Sequence, residues 1–202
     1  MVNDVPRKDA LLDGALAYVL RNGVADLSLR PLAAALGTSD RMLVYHFGSK
    51  RALVERVLDR ASSDLAAIVL DEMAAGGSSA ERLERLWDRL AGATAERHLR
   101  LWFEVQGLAA TGHEPYASAV PRLLNAWLDL SRAVLVELGA PPERARRVAT
   151  VEVAAIQGLL LDLVATADRT RLDPAARDVI ARLVDWLHEP STTVSRPRRP
   201  RP

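Results

Sequence analysis

The chain has 202 residues, of which 49% are hydrophobic and none is cysteine, and its net charge is +1. This length suits one medium-sized core or two smaller ones, and the lack of cysteine excludes disulfides, thiolate metal sites and thiol nucleophiles, which favours a reducing cytoplasm. The charge is uneven, with +2 over residues 1–60, −5 over residues 61–190 and +4 over the last twelve residues. A basic front on an acidic body is compatible with contact to nucleic acid through the front.

Apolar residues recur at intervals of three and four along nearly the whole chain, which predicts an all-α fold of about nine helices. Residues that typically begin or end helices divide this pattern. The predicted N-terminal caps are Ser28, Ser39, Ser49 and the Ser78–Glu81 pair, and the predicted stops are Gly23, Gly37 and Gly139.

Prolines supply two further boundaries. Asp173 followed by Pro174 is predicted to be a cap with proline at the first helical position, and Pro121 is expected to begin or kink its helix. The longest apolar run, "IQGLLLDLVATA", is broken by Asp162 and is shorter than the roughly 20 residues that span a bilayer. We therefore expect no membrane segment, and the acids within the first apolar stretch argue against a signal peptide.

The segment between the caps Ser39 and Ser49 has room for one short helix, which must be held by tertiary contacts. A helical wheel separates its two faces at 100° per residue. The face predicted to be buried comprises Leu43, Val44 and Phe47. The face predicted to be displayed comprises Arg41, Met42, Tyr45 and His46.

The preceding segment, "LSLRPLAAALG", is a second short amphipathic helix, and "GTS" joins the two. This arrangement is typical of a helix-turn-helix, whose second helix enters the DNA major groove. Residues 10–58, with "NG" at Gly23, "SLRPLAAALG", "LVYHFGSK" and "SKRALVERVL", resemble the DNA-binding domain of the TetR family of transcriptional regulators. The resemblance implies a three-helix DNA-binding domain, a connector helix and a larger helical ligand-binding and dimerisation domain.

The family pattern also implies contacts with bases and phosphates for particular residues. These are Thr38, Asp40, Arg41, Met42, Tyr45, His46 and Lys50. Arg is the commonest reader of guanine, Asp accepts from cytosine, and Met can touch a thymine methyl group. Asp40, Arg41, Met42 and Val44 depart from the common family pattern "SKGTLYHHF", so the operator sequence cannot be carried over. The alternative is that His46 is an ordinary surface residue and Tyr45 a packing residue.

The region from residue 61 to 190 carries no metal-ligand spacing and no catalytic triad, so no cofactor, metal or catalytic residue is expected. Its aromatic and polar residues either form an ordinary helical core or line an apolar pocket with a few polar groups. The family implies an effector pocket here, and the nominated residues are Trp87, His98, Trp102, Phe103, Gln106, Tyr116, Trp127 and Gln157. The expected effector is an apolar or aromatic small molecule.

Two helices near the end, over about 144–168 and 174–188, carry more apolar surface than one core requires. The family implies that they pair with their copies in a homodimer, which would bind a palindromic operator. We therefore predict a DNA-binding domain over 1–60, an effector-binding and dimerisation domain over 61–190 and a basic disordered tail over 191–202.

The predicted function is that of a ligand-responsive regulator, most simply a repressor released by its effector. Two alternatives remain at this point: a DNA-binding regulator controlled by a protein partner, and, more remotely, an all-α enzyme.

Overall fold

The computed structural model describes residues 4–189, and the predicted tail over 191–202 lies outside them. Every regular element in the described residues is a helix, which confirms the all-α prediction and the expected number of helices. The helices are α1 (Asp4–Asn22), α2 (Leu29–Ala35), α3 (Asp40–Phe47), α4 (Lys50–Ala74), α5 (Ser79–Leu90), α6 (Ala93–Ala110), α7 (Tyr116–Glu137), α8 (Pro142–Thr166) and α9 (Arg169–His188).

Serine caps begin several of these helices where the sequence predicted them. The hydroxyls of Ser39 and Ser49 each accept a hydrogen bond from the backbone N–H three residues later, at 3.2 and 3.0 Å. Ser78 and Glu81 form the complete capping box of α5. Ser28 occupies the cap position of α2, but its side chain makes no capping hydrogen bond. These caps satisfy N–H groups that a helix leaves without intrahelical partners.

The two prolines lie inside helices rather than at their starts. The predicted cap at Asp173 is wrong, because α9 already begins at Arg169 and is capped by Asp168. Pro174 is therefore an internal residue of α9, and Pro121 is likewise internal to α7. A proline near the N-terminal end of a helix removes only one backbone hydrogen bond, so a cap further upstream decides where the helix begins.

The buried apolar residues form two cores. We call α1–α3 the head and α5–α9 the body, and α4 extends from one to the other. The head core contains residues of α1–α3 and of α4 up to Ala61, whereas the body core begins at Leu65 of the same helix. The body also contributes residues to the head core, namely Leu101, Val105, Tyr116, Ala119 and Leu123. The head therefore packs against α6 and α7.

Helix α9 packs inward. Its predicted apolar stripe was Ala176, Val179, Ile180, Leu183, Val184 and Leu187, and all six lie in the body core or against it. Four of the six are buried, and Val179 and Val184 are partly buried, so the stripe contributes mainly to the body core, and the pairing of α9 with a second copy stays a prediction.

Helix α8 differs from α9. It is the one helix among the described residues that is long and apolar enough, by length and composition, to cross a membrane, with a mean hydropathy of 1.8 over an 18-residue window. The expectation that its apolar run is too short was thus wrong, because the helix continues well before "IQGLLL". Only 22% of that window is buried within the chain. Its outer face carries Val151, Ala154, Gly158 and Leu161, which are all exposed.

Candidate nucleic-acid interface and internal cavity

Helix α3 presents a different face from the one that the helical wheel predicted. Leu43 and Phe47 are buried as expected, but His46 is also buried, with 8% of its surface exposed, and Val44 is 42% exposed. The predictions that His46 is displayed and that Val44 is buried are therefore wrong. The buried residues 43, 46 and 47 follow the three-and-four spacing of one helical face, and residue 44 lies at the edge of that face, about 100° from residue 43.

The buried side of α3 is held by the head core. Leu43 and Phe47 belong to this core, and the ammonium group of Lys8 from α1 lies 5.7 Å from the centre of the Phe47 ring. The rings of His46 and Tyr45 meet edge to face, with their centres 5.1 Å apart and their planes at 78°. His46 therefore packs inside the head while it also contacts the exposed Tyr45.

The exposed side of α3 is formed by four residues that we call the α3 outer face: Asp40, Arg41, Val44 and Tyr45. Lys50, the first residue of α4, is also exposed, whereas Thr38 and Met42 are partly buried. A carboxylate oxygen of Asp40 accepts a hydrogen bond from the backbone N–H of Arg41 at 2.8 Å. This bond satisfies an N–H group in the first turn of the helix.

The loop between α1 and α2 is tied directly to the body. A carboxylate oxygen of Glu104 on α6 accepts hydrogen bonds from the backbone N–H groups of Val24 and Ala25, at 2.9 and 2.8 Å. The buried hydroxyl of Tyr116 on α7 donates to the carbonyl oxygen of Val24 at 3.0 Å. Burial, assisted by the negative charge of Glu104, raises the pKa of Tyr116, which keeps this hydroxyl protonated as a donor.

The body contains a partly open cavity of about 110 Å³. Its walls come from α4 to α9 and are almost entirely apolar. The residues that line it are Leu65, Val69, Leu83, Leu86, Trp87, Leu90, Leu99, Trp102, Trp127, Leu130, Ser131, Val134, Leu135, Glu152, Val153, Ile156, Gln157, Leu160, Ile180 and Leu183.

Four of the eight nominated pocket residues line this cavity: Trp87, Trp102, Trp127 and Gln157. Gln106 does not line the cavity itself, but its side-chain amide N–H donates to the side-chain amide oxygen of the lining residue Gln157 at 3.1 Å.

The other three nominated residues lie elsewhere. His98 pairs with Asp64 at 3.4 Å, and Phe103 packs against the body core. Tyr116 belongs to the head core. Their helical spacing was compatible with a pocket, but spacing alone does not distinguish a cavity wall from a filled core.

The sequence reasoning missed two polar residues of the cavity, Ser131 and Glu152. The hydroxyl of Ser131 donates a short hydrogen bond to the carboxyl group of Glu152. Burial raises the pKa of Glu152, and the bond from Ser131 only partly opposes that rise. The feature of the sequence that could have indicated this site is Glu152, a single acidic residue inside the apolar run from Val148 to Ile156. Within residues 4–189 no three acidic or histidine side chains are placed to hold a metal ion.

Comparison with known protein families identifies both halves of the chain. Residues 11–57 match the model of bacterial regulatory proteins of the tetR family. Residues 79–178 match the model of the C-terminal domain of LmrA/YxaF-like transcriptional regulators. The chain is therefore a helix-turn-helix transcriptional regulator, which is a non-enzymatic DNA-binding protein. It belongs to the TetR family.

Solved structures share this fold over most of their length. A transcriptional regulator from Rhodococcus sp. Rha1 is 21% identical, with a TM-score of 0.71 over 88% of this chain and 96% of the other. A protein from Saccharomonospora viridis, described as a transcriptional regulator in complex with choline, is 20% identical, with a TM-score of 0.68 over 90% and 96% of the two chains. At these identities the likeness establishes the fold alone. No curated protein sequence matches the chain.

Proposed function

We propose that this protein is a repressor that binds a palindromic operator as a homodimer and is released by a small-molecule effector. The observation that carries the proposal is the position of Trp102 on α6. This side chain lines the body cavity and also packs against the head core. Glu104, two residues further along α6, holds the loop between α1 and α2. A ligand that moves α6 would therefore act on the head through direct contacts.

The α3 outer face supplies the base contacts in this proposal. Arg41 reads a guanine, Asp40 accepts from a cytosine amino group, and Val44 contacts a thymine methyl group. These are the pairings between side chains and base edges that the major groove favours. Tyr45 completes the face, and His46 supports the Tyr45 ring from behind.

Two further groups of contacts complete the interface. Lys50 and Thr38 flank the base-contacting residues and are proposed to bind phosphates, because phosphate contacts fix the register of a protein on the duplex. Met42 is partly buried and is proposed to contact the edge of the groove.

The proposed dimer forms through the outer face of α8, with α9 beside it. Small residues at the centre of this face, Ala154 and Gly158, allow two helices to approach closely, and Val151 and Leu161 flank them. Because most of the apolar window of α8 is not buried within the chain, a second copy provides the missing contact. This arrangement would place a second head beside the first. It would also explain the high hydropathy of α8 by a dimer interface instead of a membrane.

The cavity supports control by a ligand rather than by a protein partner, because large side chains do not fill it. An apolar or aromatic molecule fits walls of this composition. The relative from Saccharomonospora viridis is described in complex with choline, which supports a small-molecule effector for this chain as well. Effector and operator would oppose each other through a reciprocal coupling free energy, typically about 1–3 kcal/mol. We place the protein in the cytoplasm, where its DNA target lies.

Selection of bound DNA from a random pool with the purified full chain tests this function. The expected result is a palindrome whose half-site centres lie about 34–36 Å apart, which is roughly one turn of DNA. A ligand that occupies the cavity should then weaken binding of the selected operator. Recovery of unrelated sequences, or of half-sites without symmetry, would contradict the proposal.

A further inference from the structure

The cavity holds a single carboxyl group in an otherwise neutral wall. Among the described residues that line it, Glu152 is the one with an ionisable acidic or basic side chain, and only Ser131 and Gln157 add side-chain amide or hydroxyl groups. A carboxylate in such surroundings is costly unless a counter-charge accompanies it. Burial raises the pKa of Glu152 for this reason, and the neighbour that bonds it, Ser131, brings no positive charge.

The tryptophans of the chain are concentrated around the same space. Three of its four tryptophans line the cavity: Trp87, Trp102 and Trp127. The indole ring is the side chain whose face attracts a cation most strongly. These rings come from three different helices, so indole groups of α5, α6 and α7 all border the cavity.

The size of the cavity limits its occupant. A cavity of roughly 150 Å³ holds one benzene molecule, and this one measures about 110 Å³. The fitting ligands are therefore about as large as a single ring or a branched alkylammonium. The leucine and valine walls require the rest of such a ligand to be apolar.

We propose that the effector is a small apolar organic cation, an amine or quaternary ammonium, that places its positive charge beside Glu152 and against the tryptophan rings, with the rest of its apolar surface against the leucine and valine walls. This inference rests on the proposed effector function and specifies its ligand class. The cation supplies the counter-charge that the chain does not provide at Glu152, so charge and shape are recognised together.

Matched pairs of cation and neutral isostere test this inference on the full chain. Suitable pairs are choline with 3,3-dimethylbutan-1-ol, tert-butylammonium with tert-butanol, and benzylammonium with benzyl alcohol. Affinities are measured by isothermal titration calorimetry, with quenching of tryptophan fluorescence as the second signal. At least one cation should bind about tenfold or more tightly than its isostere, because it gains both the ion pair and the cation–π contacts.

Two variants of α8 locate the effect. Glu152→Gln keeps the shape of the side chain but removes its charge, and it should abolish the preference for each cation. Glu143→Gln removes an exposed acid from the same helix outside the cavity and should leave the preference unchanged. Trp102→Leu provides a second test, because it keeps the carboxyl group and should weaken the cation more than its isostere.

The possible outcomes separate this inference from the proposed function. If neutral isosteres bind as tightly as the cations, the inference is overturned and a neutral effector remains compatible with the proposed function. If no probe binds, the inference is also overturned, and the DNA selection decides separately whether the protein recognises an operator. If Glu143→Gln removes the preference for cations and Glu152→Gln does not, the carboxylate that binds the cation lies outside the cavity and the inference fails.

Discussion

In the proposed function, the orientation of single side chains on α3 decides which bases the protein can read. His46 and Val44 exchange the positions expected from the sequence, so that an aliphatic side chain stands beside Arg41 on the exposed side. A helix of eight residues has too few apolar positions to define its buried face by periodicity alone. Packing against α2 and α4 settles the rotation, and it places Asp40, Arg41 and Val44 together.

Replacing Arg41 and Lys50 by alanine should separate base reading from phosphate binding. We expect Arg41→Ala to cost about 1–3 kcal/mol on the selected operator and to relax discrimination at one base position. Lys50→Ala should weaken all sequences alike and lower the slope of log affinity against log salt by about 1. Fluorescence anisotropy on operator and scrambled DNA at several salt concentrations measures both effects. Equal losses on both DNAs for Arg41→Ala would remove its base-reading role.

The buried carboxyl group of Glu152 should make stability depend on pH. Because burial raises the folded-state pKa above the ordinary value of 4.5, the folded state holds the proton more tightly than the unfolded state. The contribution of this group to stability is therefore complete below the unfolded pKa and is lost as pH rises through the folded-state pKa.

Glu152→Gln should consequently raise the melting temperature at pH 8, by about 2–4 °C for each kcal/mol that it restores. The advantage should shrink as the pH is lowered toward 4.5. Thermal unfolding from pH 4.5 to pH 8, with Glu143→Gln as the control, measures the effect. A stability difference that does not change with pH would show that the carboxyl group of Glu152 does not titrate as we describe.

At the scale of elements, α6 connects the cavity to the head. Its residues alternate between the two, since Leu99 lines the cavity while Leu101 and Val105 lie in the head core. Glu104 between them caps the two N–H groups of the α1–α2 loop. Gly23 adjoins this contact with a φ of +77°, which favours glycine, and a β-carbon on it would lie only 3.0 Å from the Glu104 carboxylate, so a larger residue would have to displace that side chain.

Removing the side chain of Glu104 should loosen this loop selectively. We expect Glu104→Ala to speed amide hydrogen exchange at Val24 and Ala25 and to lower the free energy of unfolding by about 1.5–3 kcal/mol, because both bonds involve a charged acceptor. Exchange measured by NMR or mass spectrometry reports the loop directly. Glu96→Ala, at an exposed acid of the same helix, should leave these amides unchanged. Unaltered exchange in Glu104→Ala would mean that Tyr116 and packing alone hold the loop.

At the scale of the whole molecule, the outer face of α8 is an apolar surface that the single chain leaves exposed. Its inner face lines the cavity, whereas Val151 and Leu161 on the other side are each 49% exposed. One helix would thus join the effector site to the dimer interface. The separation of the two heads would then depend on how the two copies of α8 meet.

A charge placed on this face should split the proposed dimer. We expect Leu161→Glu to give a monomer at micromolar concentration, measured by analytical ultracentrifugation, because the carboxylate would be buried without a partner. Binding to the full palindrome should fall at least about tenfold, while binding to a half-site should not change. Leu70→Glu is the matched control, since Leu70 of α4 is also an exposed leucine, at 55%. A monomer from Leu70→Glu alone would place the interface elsewhere.

Local interactions made much of this protein predictable from its sequence. The caps at Ser39, Ser49 and Ser78 act within one helical turn, and the helix-turn-helix is a contiguous segment, so residue order alone determined both. The predicted start of α9 at Asp173–Pro174 was wrong because a second capping residue, Asp168, lies a few residues upstream and begins the helix there.

Only the tertiary structure decided which side chains meet. Trp87, Trp127 and Glu152 lie on three helices far apart in the chain, and their meeting at one cavity depends on how those helices cross. The same holds for the rotation of α3 and for the burial of the α9 stripe. Periodicity identifies an apolar face, but the neighbour that covers it, or leaves it open, is a property of the packed chain.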